Sequence, residues 1–187
     1  MKCLTLVDVL SMTKPLKIVL TGVENSGKST LSTVLAKSLN WPLISELCRD
    51  DQDVLDGTDD HATLEALQLL QGKTMNAFLT DGTARGVICD TGGLVLEIWS
   101  EYKYKKGIKN VFESQRDVDL YVMCETLPVW EEDPMRFLPE YFDRVNHEKV
   151  FLKKLKDRNL PYYYLEVASV EDRLKKVMTE LHERFDI

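Results

Sequence analysis

Along the chain, short apolar runs alternate with longer stretches in which apolar residues recur every three or four positions. Leu16-Lys17-Ile18-Val19-Leu20 is the first run, and Leu31, Val34, Leu35 and Leu39 mark the periodic stretch behind it. A brief near-continuous run suits a strand buried on both faces, whereas a 3.6-residue period suits a helix with one apolar side. The pairing then repeats. Trp41 to Ile44 predicts a second strand, and Leu64, Leu67, Leu70, Met75 and Phe78 predict a helix after an acidic loop. Gly86 to Cys89 predicts a third strand, followed by an amphipathic stretch through Leu94, Ile98 and Trp99. Leu120 to Cys124 and Tyr162 to Val167 complete five strands. Helical patterns follow them through Val150, Phe151 and Leu155, and through Leu174, Val177, Leu181 and Phe185.

This alternation predicts an α/β fold, a five-stranded parallel sheet with helices on both faces, because parallel neighbours require a crossover connection. Ligands of such sheets sit beyond the carboxyl ends of the strands. Thr21-Gly22, Ser45-Glu46 and Asp90-Thr91 follow the first three runs, so functional residues are expected there. Repeats, low-complexity tracts and Pro/Gly/Ser linkers are absent. One domain over residues 16–187 is expected, with residues 1–15 as an N-terminal extension.

The sequence of 187 residues carries 24 basic and 31 acidic side chains, a net charge of -7, which argues against nucleic acid as its main partner. No window approaches the ~18 apolar residues of a membrane span, and residues 1–15 lack an apolar block with a small-residue cleavage site. Cys3, Cys48, Cys89 and Cys124 stand singly, without the close pairing of a metal ribbon or redox motif. Free thiols in a reducing compartment, and hence a cytoplasmic protein, are expected.

The strongest chemical signal is Gly22-Val23-Glu24-Asn25-Ser26-Gly27-Lys28-Ser29, which fits G-x-x-x-x-G-K-[ST] between a strand and a helix. Gly22 and Gly27 let the backbone turn close to an anion, and the N–H groups of Asn25, Ser26 and their neighbours face it. Lys28 adds a point charge at the terminal phosphates, and the Ser29 hydroxyl reaches a bridging Mg²⁺. Thr30 belongs to the same nucleotide-binding segment, where its expected role is packing. Asp90, ending the third strand, is positioned like the carboxylate that holds the metal from the other side. ATP and Mg²⁺ are the expected ligands. Asp90-Thr91-Gly92-Gly93 also fits the D-x-x-G of a GTP switch. No N-K-x-D or T-K-x-D follows a later strand, however, and strand four ends Cys124-Glu125-Thr126, so that alternative fails.

A small-molecule kinase needs a base for the acceptor hydroxyl and cations over the transferring phosphoryl group. Glu46 and Arg49, one helical turn apart after strand two, are candidates, with Glu46 as the base. Arg136 and Arg144 lie in the Trp130 to Arg144 segment after strand four, where a lid is expected, and surface charge is the alternative for both. Between Glu46 and Asp60 the chain also carries Asp50, Asp51, Asp53, Asp56 and Asp59. This cluster is either a solvated loop or a pocket wall that would favour a cationic ring.

The segments Gly22 to Ser29, Ser45 to Arg49, Ile88 to Thr91, Trp99, Leu127 to Arg136 and Leu160 to Glu166 together resemble the ribosylnicotinamide kinase domain of NadR-type proteins, a P-loop kinase group associated with NAD metabolism. The resemblance runs from about Leu16 to Val177. It implies ATP phosphates at Gly22, Gly27, Lys28 and Ser29, magnesium at Asp90, the acceptor nucleoside beside Glu46 and Arg49, and a lid arginine at Arg136. Lys28, Glu46, Asp90 and Arg136 then form the catalytic set. Gly92 and Lys73 depart from the family pattern, which often has an acidic residue and a glutamine there. The expected partner is a small nucleoside-like molecule, foremost nicotinamide riboside. A deoxynucleoside or another metabolite remains an alternative acceptor, and a nucleotide-sensing ATPase without turnover an alternative role.

Overall fold

The computed structural model describes residues 14–80 and 84–187. The proposed extension therefore lies almost wholly outside the described residues. Five strands form one parallel sheet in the order β2-β3-β1-β4-β5: β1 (Leu16–Thr21), β2 (Leu43–Ile44), β3 (Gly86–Asp90), β4 (Leu120–Cys124) and β5 (Tyr162–Leu165). The helices between them are α1 (Lys28–Leu39), the short α2 (Gln52–Leu55), α3 (His61–Thr80), α4 (Gly93–Tyr104), α5 (Val111–Arg116), α6 (Tyr141–Asp157) and α7 (Val170–Phe185). A 3₁₀ turn over Leu47–Asp50 precedes α2.

Because successive strand residues point to opposite faces, β1 feeds two cores. Ile18 and Leu20 pack with Leu31 and Leu35 of α1 and with Val177 and Leu181 of α7. Val19 packs on the other side with Leu94 and Ile98 of α4, Phe151 and Leu155 of α6, and Met75 of α3. The connections thus diverge at β1 and β3: α1 crosses one face after β1 on the way to β2, and α4 crosses the other after β3 on the way to β4. The crevice between the carboxyl ends of β1 and β3 is where a ligand fits in this kind of sheet.

Several sequence expectations change in physical detail. The second strand shrinks to Leu43–Ile44, since Pro42 has no N–H for the ladder and Trp41 instead turns inward against Gly86. Gly86 is obligatory there, because a Cβ would lie 2.4 Å from the Trp41 ring. β5 ends at Leu165, and the Val167 N–H is taken by the Glu125 carboxylate at 2.6 Å. On α3, Leu70 and Phe78 are exposed rather than inward, the buried face being Leu64, Leu67, Gln68, Gln71 and Met75. Val150 of α6 is likewise exposed. Lys17, inside the apolar run of β1, is buried because Asp117 and the Asn76 amide oxygen receive its ammonium group.

Arg144 is corrected most sharply, for it is neither a lid arginine nor a surface charge. It sits in the first turn of α6 with no exposed surface. Its Nη1 donates to the carbonyls of Leu138 at 2.9 Å and Pro139 at 2.5 Å, and its Nη2 to that of Leu127 at 3.2 Å. The guanidinium also lies 4.9 Å from the Trp130 ring centre. One side chain thereby ties both ends of the irregular segment 127–139 to α6. Arg144→Met keeps the apolar stem and removes those donors, so it should lower the unfolding free energy by about 2–4 kcal/mol. Urea denaturation measures this, and a loss below about 0.5 kcal/mol would mean that water replaces the guanidinium without penalty.

Candidate active site

The loop after β1 turns through three left-handed residues, Gly22 (φ 133), Asn25 (φ 55) and Gly27 (φ 74). At Gly22 a Cβ would come within 2.6 Å of the Cys124 carbonyl, so the turn needs glycine for space as well as for φ. The loop is braced internally: Ser26 Oγ donates to the Val23 carbonyl at 2.8 Å, and Lys28 Nζ donates to the same oxygen at 2.6 Å. Gly27 caps α1 without a side-chain acceptor, and no acidic residue occupies the first turn of α1. The free N–H groups and the positive end of the helix dipole are therefore left for an external anion.

This loop forms one wall of a cavity of about 190 Å³. Gly22, Asn25, Ser26, Gly27, Lys28, Ser29 and Thr30 all line it, as do Glu46, Arg49 and Arg136. Ser29 and Thr30 are exposed, so Thr30 faces the cavity rather than packing as expected. The opposite wall is Val95, Leu96, Trp99 and Lys103 of α4. Trp99 stacks on His147, with ring centres 5.5 Å apart, and meets Phe137 edge-on at 6.0 Å.

Apart from Lys28, the cations of the cavity are matched locally. Arg49 bonds Glu46 at 3.0 Å and Asp133 at 2.9 Å, bridging the segment after β2 to the segment after β4. Lys103 bonds Asp59 at 2.7 Å. Arg136 donates from Nη1 to Asn25 Oδ1 at 3.0 Å and to the Glu131 carbonyl at 2.5 Å. Lys28 lacks a direct ion pair among the described residues. Burial pushes its pKa down, and the carboxylates of Glu46 and Asp90 push it back up.

Asp90 does not line the cavity itself. It ends β3 opposite Leu20, and its Oδ1 is buried without a hydrogen-bond partner. The next residue, Thr91, is a β-branched residue at φ 71, a strained conformation held by its N–H on the Leu20 carbonyl (3.1 Å) and by Gln71 Nε2 on its own carbonyl (2.8 Å). A buried carboxylate oxygen without a partner at the end of β3, and a serine hydroxyl exposed at the start of α1, suit Mg²⁺, which takes few protein oxygens and completes its shell with phosphate and water.

The acidic segment after β2 is mostly occupied elsewhere. Asp51 accepts the Val54 N–H and Asp60 the Thr63 N–H as helix caps, and Asp50, Asp53 and Asp56 are exposed. From that segment only Glu46 and Asp59 line the cavity, and Lys103 neutralises Asp59.

Two site residues escaped the sequence reading. Glu24, at a variable position of the loop motif, accepts the N–H groups of Phe137 (2.8 Å) and Leu138 (2.5 Å) through Oε1. Burial raises its pKa, and those two amides oppose the rise. Asn25 Nδ2 donates to the Val129 carbonyl as well. The segment after β4 is thus latched to the phosphate loop by the loop's own side chains. The other residue, Arg173 of α7, donates to the Ser26 carbonyl at 3.0 Å from behind. Hydrophobic periodicity carries no signal for either, since both act across more than 100 residues of chain.

A family model described as AAA domain matches residues 17–173, and the chain belongs to that family. No curated protein is a significant sequence match to it. Among solved structures, a NadR protein in complex with NR superposes with a TM-score of 0.72 at 16% identity, covering 93% of this chain and 52% of that one. The chain thus spans about half the length of the NadR structure. Thymidylate kinase from Candida albicans superposes with a TM-score of 0.65 at 12% identity over 91% of this chain and 92% of that one. Deoxyadenosine kinase from M. mycoides with bound dCTP gives 0.59 at 17% identity over 90% and 100%. At these identities the likeness is one of fold, that of P-loop nucleoside and nucleotide kinases.

The latch has a measurable consequence. Glu24→Ala removes the acceptor of two amides, and hydrogen exchange at Phe137 and Leu138 should accelerate about tenfold or more while the core strands are unchanged. Unaltered exchange at both amides would show that the segment is held by other contacts.

Proposed function

We propose that this AAA-domain chain is an ATP-dependent kinase that transfers the terminal phosphoryl group to a hydroxyl of a nucleoside, with nicotinamide riboside as the favoured acceptor. The observation that carries the nucleoside class is the pairing of every acceptor-side cation. Arg49 is held by Glu46 and Asp133, and Lys103 by Asp59. A nucleotide acceptor would need an uncompensated cation for its own phosphate, and these two have none to spare. The nucleoside base has an apolar and aromatic wall in Val95, Leu96 and Trp99. The lining holds four acids (Glu24, Glu46, Asp59, Glu131) and four bases (Lys28, Arg49, Lys103, Arg136). That balance gives no net field to select a cation, so preference for a pyridinium ring rests on contact with the Trp99 face.

In this reading the N–H groups of the loop and of the α1 terminus hold the phosphates, and Lys28 leaves the Val23 carbonyl to meet the terminal group. Arg136, fixed by Asn25, closes over the transferring phosphoryl from the lid side. Glu46 accepts the acceptor's proton on one carboxylate oxygen while Arg49 holds the other, so transfer proceeds from a positioned alkoxide-like oxygen. Ser29 and Asp90 would hold Mg²⁺, which supplies charge neutralisation between the phosphates. The segment over residues 127–138 excludes water as a competing acceptor.

The reading is tested by ADP release with nicotinamide riboside, deoxyadenosine, deoxycytidine, thymidine and thymidine monophosphate. The highest kcat/KM is expected for nicotinamide riboside and negligible turnover for the monophosphate. A preference for a neutral deoxynucleoside would replace the acceptor but keep the kinase, whereas ADP release independent of every acceptor would point to a nucleotide-sensing ATPase. The carboxylates should also separate in their effects. Glu46→Gln should retain MgATP binding and lose about 10²-fold or more in turnover, while Asp90→Asn should also raise the magnesium requirement. The same magnesium dependence in both variants would refute this division of roles.

A further inference from the structure

Arg173 lies in the first turns of α7, outside the cavity, and only 3% of it is exposed. Its Nη2 donates to the Ser26 carbonyl at 3.0 Å, and a Cβ at Gly27 would come within 2.7 Å of its Nη1. The guanidinium therefore rests on the back of the Ser26–Gly27 peptide. A trans peptide sends its C=O and N–H in opposite directions. With the Ser26 carbonyl pinned on Arg173, the Gly27 N–H is directed away from it, toward the phosphate side of the loop.

The charge of this guanidinium has no ion-pair partner among the described residues, and its Nε is buried without a hydrogen-bond partner. Adjacent Asp172 is engaged with Ser169 Oγ at 2.8 Å. The neighbouring Cys124 thiol brings no negative charge, because burial pushes its pKa up. Arg144 is also buried, with no carboxylate partner and its Nε unpartnered, but its guanidinium has three carbonyls and an aromatic face, whereas the half-buried Arg158 meets Glu97 at 2.6 Å. A buried cation without compensation costs free energy until an anion joins it. A polyphosphate on the loop is that anion, one peptide layer away.

We propose that Arg173 is a positioning residue for the nucleotide: it orients the Ser26–Gly27 peptide toward the phosphates, and its charge is balanced only when a polyphosphate is bound. The inference rests on reading residues 22–29 as the phosphate cradle and is independent of the acceptor. Two consequences follow from the charge. Its contribution grows with the number of phosphates, and it acts on ground state and transition state alike, so it appears in KM rather than kcat.

The test is calorimetric titration of wild type, Arg173→Met and Arg173→Lys with MgATP, MgADP and AMP, beside ligand-free thermal melts and steady-state kinetics. Arg173→Met should weaken MgATP about tenfold, MgADP less and AMP under about twofold, with a ligand-free melting temperature no lower than wild type. KM for MgATP should rise about tenfold against a change in kcat below about threefold, and Arg173→Lys should recover most of the affinity. MgATP affinity within about twofold of wild type in Arg173→Met, equal losses for AMP and MgATP, or a lysine variant no better than the methionine one would each overturn the proposal. If Arg173→Met does not fold, Arg173→Lys decides alone: MgATP binding within about threefold of wild type supports the charge, and a loss of about tenfold or more refutes it. A wild-type protein that binds no nucleotide would instead remove the proposed function. Loss of binding in Lys28→Ala beside an indifferent Arg173→Met would remove only the role of Arg173.

Discussion

The anchoring of β1 between two cores is the constraint from which the rest of the site follows. Ile18 and Leu20 have no exposed surface and Val19 only 1%, so the strand cannot slide or tilt without opening both faces of the sheet. Its end at Thr21 is therefore held firmly, and the loop that leaves it begins from a rigid position. Cys124 at the end of β4 closes in on one side of that loop and Arg173 of α7 on the other. Both approaches are possible only because Gly22 and Gly27 lack side chains. The loop is consequently shaped from outside as well as by its own dihedral preferences.

Three distant segments then converge on the loop through polar contacts. Glu24 and Asn25 hold the stretch after β4, Arg49 joins that stretch to the segment after β2 through Asp133, and Arg144 ties its two ends to α6. Apart from the neutral Asn25 bond, these contacts are charge-assisted, the kind that retain value in partly buried surroundings. The cavity they surround is small, and apart from Lys28 its cations are locally paired. Such a site discriminates by contact and desolvation more than by long-range field, which is consistent with a nucleoside acceptor and unfavourable to one carrying its own phosphate.

Strain is concentrated beside the same crevice. Thr91, in a conformation that glycine adopts more easily, is followed by two glycines that do not take it. Its backbone is fixed by Leu20 and Gln71 instead, so the orientation of the Asp90–Thr91 turn depends on a buried glutamine of α3. The resemblance to NadR-type domains implies a glutamine in the region of Lys73. Here Lys73 is exposed and the buried amide stands two residues earlier, on the inward face of the helix.

Local chemistry and periodicity made much of this protein legible from sequence. Alternating apolar runs and helical periods were enough for five parallel strands with helices on both faces, because burial on one or two sides imposes a pattern on consecutive residues. The phosphate loop was legible because its turn, its glycines and its lysine are contiguous. The cavity does bring Gly22, Glu24 to Thr30, Glu46, Arg49 and Arg136 together, with Asp90 outside its lining but close enough to act on Lys28. What tertiary structure alone decided were the partners of charged side chains. Arg136 reached the loop while Arg144 became a buried tie, although both are arginines of one segment. Most of the acidic residues after β2 went to helix caps and solvent, and Glu24 and Arg173 became parts of the site without any local mark. A charge finds its partner through space, at sequence separations that no window spans, and its desolvation is set by whatever the folded chain places around it.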